Sequence, residues 1–287
     1  MHLIPYAIIT SGGDNMCEIL CSTGALIGKP NGRDYRLLEP LSRDLTCDGF
    51  EFMMYSSWYE EAETIVKFLL SLPLSIPVIH CEKHIGEAIS KGDLETATDL
   101  FQKNCMIANA LGASKIVIHL WDGITSDSCF AQNLSAYARL REITDACGLA
   151  LLVENVVCTT KDPMSRWKEL HSAYKDVQFV FDTKMAAFHD QLGLLYAPEN
   201  EWLWKEGHVR HYHVNDYGGA YMEWAKLKTL PIGQGHVDFK KFFDFIKRIG
   251  YDDTFTVEST AFNAQGQVDV EMLNKQFQFI RNAMTEI

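Results

Sequence analysis

Glu154, Asp182, His213 and Glu258 each end a short apolar run: Ala150-Leu-Leu-Val-Glu154-Asn, Val177-Gln-Phe-Val-Phe-Asp182-Thr, Val209-Arg-His-Tyr-His213-Val-Asn and Thr254-Phe-Thr-Val-Glu258-Ser. An ionisable group at the end of a buried strand is unfavourable unless it meets a partner, a cation or a substrate. Two glutamates, one aspartate and one histidine suit a single divalent metal that takes oxygen and imidazole donors. Three carboxylates more than neutralise a dication, which favours Mn²⁺, Mg²⁺ or Co²⁺; Zn²⁺ also fits the set. The gaps 154 to 182, 182 to 213 and 213 to 258 are 28, 31 and 45 residues, each close to one βα unit. Four such groups at four successive strand ends describe a site at the mouth of a βα-barrel.

Eight strand-like runs can carry such a site: Leu3–Thr10, Gly49–Tyr55, Ile76–Cys81, Lys115–Trp121, Leu149–Val156, Val177–Asp182, Val209–Asn215 and Thr254–Ser259. Most are continuously apolar, as for strands covered on both faces. Helical patterns lie between them over Glu61–Leu72, Asp93–Leu111, Ser135–Cys147, Pro163–Tyr174, Asp238–Ile249 and Val268–Met284. Asp162 before Pro163 reads as an N-cap, and Gly112 and Gly148 read as C-terminal stops. Strand and helix alternate about eight times, which predicts an α/β fold with a parallel sheet closed into one (β/α)8 TIM barrel. No G-x-G-x-x-G follows the first run, which argues against a dinucleotide-binding sheet. No linker interrupts the chain, so residues 1–287 read as a single domain. The least regular stretches, Ser11–Arg33, Leu120–Phe130 and Tyr217–Gly235, each follow a strand and belong over the active face.

Composition narrows the function classes. A length of 287 residues suits one barrel, and 47% apolar residues can fill a large core. The formal net charge of −12, with no Lys/Arg-rich run, argues against nucleic acid as a partner. No run is long enough to span a membrane and the N-terminus lacks a signal-peptide pattern, so a cytoplasmic protein is expected. Eight cysteines in such a setting read as reduced, structural thiols. Self-association into a homo-oligomer is left open.

Five motifs stand in register: Val153-Glu154-Asn155, Phe181-Asp182-Thr183, His211-Tyr-His213-Val-Asn215-Asp216, Gly233-Gln-Gly235-His236-Val-Asp238 and Val257-Glu258-Ser259. In order and spacing the whole chain resembles the sugar phosphate isomerase/epimerase superfamily, the xylose isomerase-like TIM barrels that also include endonuclease IV. The resemblance implies one divalent metal held by Glu154, Asp182, His213 and Glu258. It further implies that the two glutamates serve as acid and base on opposite faces of a sugar. Met185 stands where epimerases and endonuclease IV place a histidine, and Tyr217–Leu230 lacks the Asp-x-His pair a three-zinc nuclease needs. An arginine that ketose epimerases carry after the seventh-strand motif is also missing.

The reading is therefore a metal-dependent isomerase or epimerase acting on a small carbohydrate or other polyhydroxylated carbonyl compound. Proton transfer next to the carbonyl, through an enediolate, would run between Glu154 and Glu258. An inosose-type dehydratase could use the same groups, and a non-catalytic sugar-binding barrel is the rival from another class. His80, His119, Lys184, Asn215 and His236 are the candidates for substrate contact. Lys184, two residues past Asp182, is read as sharing its strand face. The Gly233 and Gly235 turn is read as exposing amides to a substrate hydroxyl or oxyanion. His211 is expected deeper, beneath His213. His2, His171, His189 and His208 read as surface or structural.

Overall fold

The structure, a computed structural model, describes residues 17–285. Eight parallel strands form one closed barrel in sequence order: β1 (Glu18–Ser22), β2 (Gly49–Met53), β3 (Val78–His80), β4 (Lys115–Ile118), β5 (Ala150–Glu154), β6 (Gln178–Asp182), β7 (Val209–His213) and β8 (Thr254–Val257). The TIM barrel is thus present. The expected first strand, Leu3–Thr10, lies outside the described residues. The first barrel strand is instead Glu18–Ser22, inside the stretch read as irregular. It closes the ring by pairing Leu20 with Gly49 of β2 and with Thr256 of β8. Five residues give too little periodicity to mark a strand locally; the two flanking edges select it.

Helices Ala62–Leu70, Leu94–Leu111, Phe130–Cys147, Pro163–Ala173, Phe239–Arg248 and Val270–Thr285 cover the outside of the barrel. Their ends follow local chemistry. Asp93, Asp162 and Asp238 accept the amides of Thr96, Ser165 and Lys241 at 3.1, 2.8 and 3.0 Å. Gly112 and Gly148 close their helices in the left-handed conformation. Two shorter helices, His84–Ser90 and Thr183–Phe188, follow β3 and β6, where the sequence pattern gives no helix. All eight cysteines are free. No helix among the described residues is long and apolar enough to cross a membrane.

Inside the barrel the side chains form layers, because alternate strand residues point inward. Near the base, the Lys115 ammonium is tied to Asp253 and donates to Thr254 Oγ1 at 2.9 Å. Above it Leu20, Val78, Val117, Leu152 and Val180 pack as a separate apolar layer. The next inward positions are Glu51, His211 and Thr256, and above these come His80, Glu154, Asp182 and His213. β7 takes two steps, Val209 to His211, against one step of β6, Phe179 to Val180. That extra residue sets the phase in which His211 and His213 face the interior.

Candidate metal centre

The four strand-end residues converge. His213 Nδ1 lies 3.3 Å from Glu154 Oε1, 3.4 Å from Glu258 Oε2 and 3.9 Å from Asp182 Oδ2. One donor atom from each of the four lies within 4.8 Å of the others. Glu154, Asp182 and His213 are buried, while Glu258 is partly open to the mouth. This is a buried carboxylate and imidazole cluster of the kind that holds a metal.

Two asparagines fix the carboxylates where the strand ladders end. Asn155 receives the Asp182 amide at 2.6 Å and donates to the Asp182 carbonyl at 3.0 Å, joining β5 to β6. Asn215 receives the Glu258 amide at 3.0 Å. It donates through Nδ2 to Asp182 Oδ2 at 3.1 Å and to Glu258 Oε2 at 3.0 Å. Both amide hydrogens of Asn215, expected to meet substrate, are therefore used to orient the acids. Its own backbone amide is held by Thr183 Oγ1 at 2.9 Å.

Glu51 is the participant the sequence reading missed. Fully buried, it receives His211 Nε2 at 2.8 Å and Thr256 Oγ1 at 2.7 Å, and both its oxygens lie 3.2 Å from His213 Nε2. A signal existed: Glu51 alternates with Phe50 and Phe52 in Gly49-Phe-Glu-Phe-Met, so an acid faces the barrel interior while the aromatics face the helices. His211 lies beneath His213, as expected, and its Nδ1 contacts Thr254 Oγ1 at 2.6 Å.

On the opposite side two imidazoles meet Glu154 Oε2, His80 Nε2 at 3.2 Å and His119 Nε2 at 2.9 Å. His80 Nδ1 donates to the Cys81 carbonyl at 2.9 Å, and His119 Nδ1 pairs with Asp122 Oδ2 at 2.6 Å. Asp122 thus ties His119 to the rim, a link that only the turn after β4 creates.

Lys184 does not extend the strand beyond Asp182. The chain turns helical at Thr183, and Asp182 caps that helix by accepting the Met185 amide at 2.9 Å. Lys184 is nevertheless buried and its charge acts on Asp182, Glu258 and Glu154, while Nζ donates to Thr229 Oγ1 at 3.2 Å. His236 is exposed and contacts the Gly219 carbonyl at 2.7 Å, outside the cluster. The amides of Gly233 and Gly235 are not free for substrate: they donate to Asp216 Oδ2 at 2.9 and 2.8 Å. A Cβ at Gly235 would stand 2.3 Å from both Asp216 Oδ1 and the Tyr217 carbonyl, so the close approach requires glycine.

Electrostatics follow from this packing. Burial raises the Glu154 carboxyl, but His119 and His213 outweigh it and hold it well below the usual range. Burial and the neighbouring Glu154 and Glu258 raise Asp182 to about 6 against the pull of Lys184. Burial lowers His119, but Glu154 and Asp122 prevail and raise it to about 10. The three carboxylates of the cluster share one buried ammonium, Lys184. That excess of negative charge, with oxygen donors around one imidazole nitrogen, fits a divalent cation.

Three structural relatives illustrate the architecture. D-Allulose 3-epimerase from Methylomonas sp., in complex with D-allulose, superposes with a TM-score of 0.67 at 15% identity, over 93% of this chain and 97% of that one. 3-Keto-D-glucoside 4-epimerase from E. coli gives 0.65 at 12% identity, over 93% and 99%. The IOLI protein with a zinc atom gives 0.65 at 14% identity, over 94% and 100%. No curated protein matches the sequence. Residues 41–282 match the family described as the xylose isomerase-like TIM barrel, and the chain belongs to that family.

Proposed function

We propose that this protein is a divalent-metal-dependent isomerase or epimerase of a sugar or similar polyhydroxylated carbonyl compound. The observation that carries the reading is the placement of Glu154 and Glu258 on either side of His213 Nδ1, at 3.3 and 3.4 Å, three strands apart around the mouth. Likeness to sugar epimerases of known structure supports the substrate class.

A divalent ion held by Glu154, Asp182, His213 and Glu258 would offset the charge that develops on a substrate carbonyl oxygen. The acids divide the proton work. Glu258, the member open to the mouth, takes the proton from carbon next to the carbonyl. Glu154, approached by His80 and His119 on one oxygen, returns a proton to that carbon from the other side of the substrate. His119 and Asp122 connect it to the rim. Lys184 supplies a positive charge to a substrate oxygen, and Asn155 and Asn215 keep the acids aligned.

The test is a panel of ketoses, aldoses and inosose-type ketones, with turnover in D₂O and metal content measured on the same preparation. An epimerised or isomerised product carrying deuterium next to the carbonyl supports the reading. Loss of water from an inosose would reassign the site to a dehydratase. Tight sugar binding with no turnover across the panel would make it a binding barrel.

A further inference from the structure

A second histidine cluster lies at the other end of the barrel. His171 is in the last turn of helix Pro163–Ala173, Glu206 follows helix Trp202–Lys205, and His208 immediately precedes β7. β7 alone separates His208 from His213. Five residues at roughly 3.3 Å each put the two clusters about 16 Å apart along the strand. They are separate sites on opposite faces.

One donor atom from each of His171, Glu206 and His208 lies within 4.8 Å of the others. His208 is 5% exposed, and its Nδ1 donates to the Val177 carbonyl at 2.6 Å. That bond settles the tautomer: in the neutral ring Nε2 is left with a bare lone pair. The same nitrogen is buried without a hydrogen-bond partner and lies 3.5 Å from Glu206 Oε2. His171 Nδ1 is buried without a partner as well. The two rings stand edge to face, 4.7 Å between centroids, and Trp202 lies 4.4 Å from the His171 ring, limiting its rotation.

An unpartnered imidazole nitrogen beside a carboxylate, with a second unpartnered nitrogen in the adjoining His171 ring, makes an unfavourable set for a protein interior unless something joins them. A protonated pair would repel, and burial, His208 and Lys175 hold His171 below the usual imidazole range. A backbone carbonyl that fixes a ring through its other nitrogen is the arrangement that accompanies metal-bound histidine. Ligand atoms about 2.0–2.1 Å from a tetrahedral ion stand roughly 3.3 Å from one another, close to the separation between His208 and Glu206.

We propose that His171, Glu206 and His208 form a second metal site, for a zinc-class first-row transition ion, at the base of the barrel. Two imidazoles and one carboxylate suit such an ion, and Mg²⁺ and Ca²⁺ prefer all-oxygen sets. The exposed side of Glu206 leaves room for water as a fourth ligand. The ion would join the end of a helix to the start of β7, a structural tie on the face where barrels carry stability and not chemistry.

The experiment counts zinc on the full chain after chelator treatment and equilibration at matched free zinc, by mass spectrometry of the metal. Glu206→Gln changes a side chain that is 60% exposed and preserves the fold; His171→Gln is the second variant. Each is expected to lose one zinc per chain, or to weaken its binding by about tenfold or more. His213→Ala should lose a different ion, and its combination with Glu206→Gln should lose both. Cu²⁺ added to protein should quench Trp202, and Trp202→Phe should remove that fraction of the signal. Zinc isotherms for Glu206→Gln and His171→Gln that overlay the wild type would overturn the proposal. So would a wild type binding one ion that His213→Ala abolishes.

Discussion

Both oxygens of Glu51 lie 3.2 Å from Nε2 of His213, on the side of the ring that faces away from Glu154, Asp182 and Glu258. The imidazole at the centre of the candidate metal site is therefore held from below by a buried carboxylate. That contact orients the ring and raises the basicity of Nδ1, the nitrogen that faces the other acids. Glu51→Ala is expected to weaken metal binding by about 10–100-fold, with Glu51→Gln between the two. Chelator competition measures it. An affinity unchanged in Glu51→Ala would remove Glu51 from any role through His213.

The quartet itself has a direct test. His213→Ala and Asp182→Ala should each lose the metal on dialysis, because each removes a donor from the place where three acids meet one imidazole nitrogen. Glu154→Gln and Glu258→Gln preserve shape, and should lower turnover by roughly two to four orders of magnitude, the usual worth of a positioned acid or base. Metal content measured on the same samples separates lost chemistry from lost metal. Wild-type occupancy in both His213→Ala and Asp182→Ala would show that the ion sits elsewhere.

His119 links Glu154 to Asp122 at 2.9 and 2.6 Å, a path from a buried acid to the rim. His119→Asn is expected to keep the metal and to slow turnover, with product still labelled by solvent deuterium, since Glu154 then regains its proton from solvent more slowly. Asp122→Asn should slow turnover in the same way by less. Turnover equal to the wild type in both variants would exclude this path.

Acid stability depends on groups outside the site. Buried Asp127 receives the amides of Thr159, Thr160 and Lys161 at 2.7, 2.9 and 3.0 Å and Arg166 Nη2 at 2.7 Å. Burial raises its carboxyl, but the Thr160 hydroxyl, the Thr160 and Thr159 amides and Arg166 prevail and hold it below the usual range. Its contribution is full above the unfolded value, about 3.9, and is lost as pH falls towards the lower folded value. Asp127→Asn should cost about 1–3 kcal/mol at pH 7, since Arg166 loses its buried carboxylate partner and keeps only the Glu169 carboxylate, at 3.1 Å. The difference should narrow below pH 4 in urea unfolding.

His189 acts in a higher window. Its Nε2 accepts the Cys158 amide at 3.1 Å, and burial lowers it from the usual 6.5 to about 4, against Asp162 and Asp127. The unfolded chain takes up the proton first, so stability should fall as pH drops from about 6.5 to 4. His189→Gln should flatten that slope. An unchanged slope would show that His189 does not titrate with folding.

Much of this molecule is legible along the chain. The alternation of apolar runs with capped amphipathic segments specifies a βα-barrel, because strand burial and helix caps are local properties. Glu154, Asp182, His213 and Glu258 stand out because an acid or imidazole at the end of an apolar strand is unfavourable there without a cation, partner or substrate to meet it. Tertiary structure decided the rest. The strand Glu18–Ser22 is chosen by its two neighbours, β2 and β8, since five residues carry no distinctive pattern. The turn from strand to helix at Asp182 moved Lys184 off the strand face, because the Asp182 carboxylate caps the Met185 amide. Asp216 took the Gly233 and Gly235 amides that sequence alone assigned to substrate. Glu51 reaches His213 across 162 positions of chain, and His171 meets His208 only where a helix end returns to a strand start. Hydrogen bonds and ion contacts of that kind depend on distance in space, which closure of the barrel sets and residue spacing does not encode.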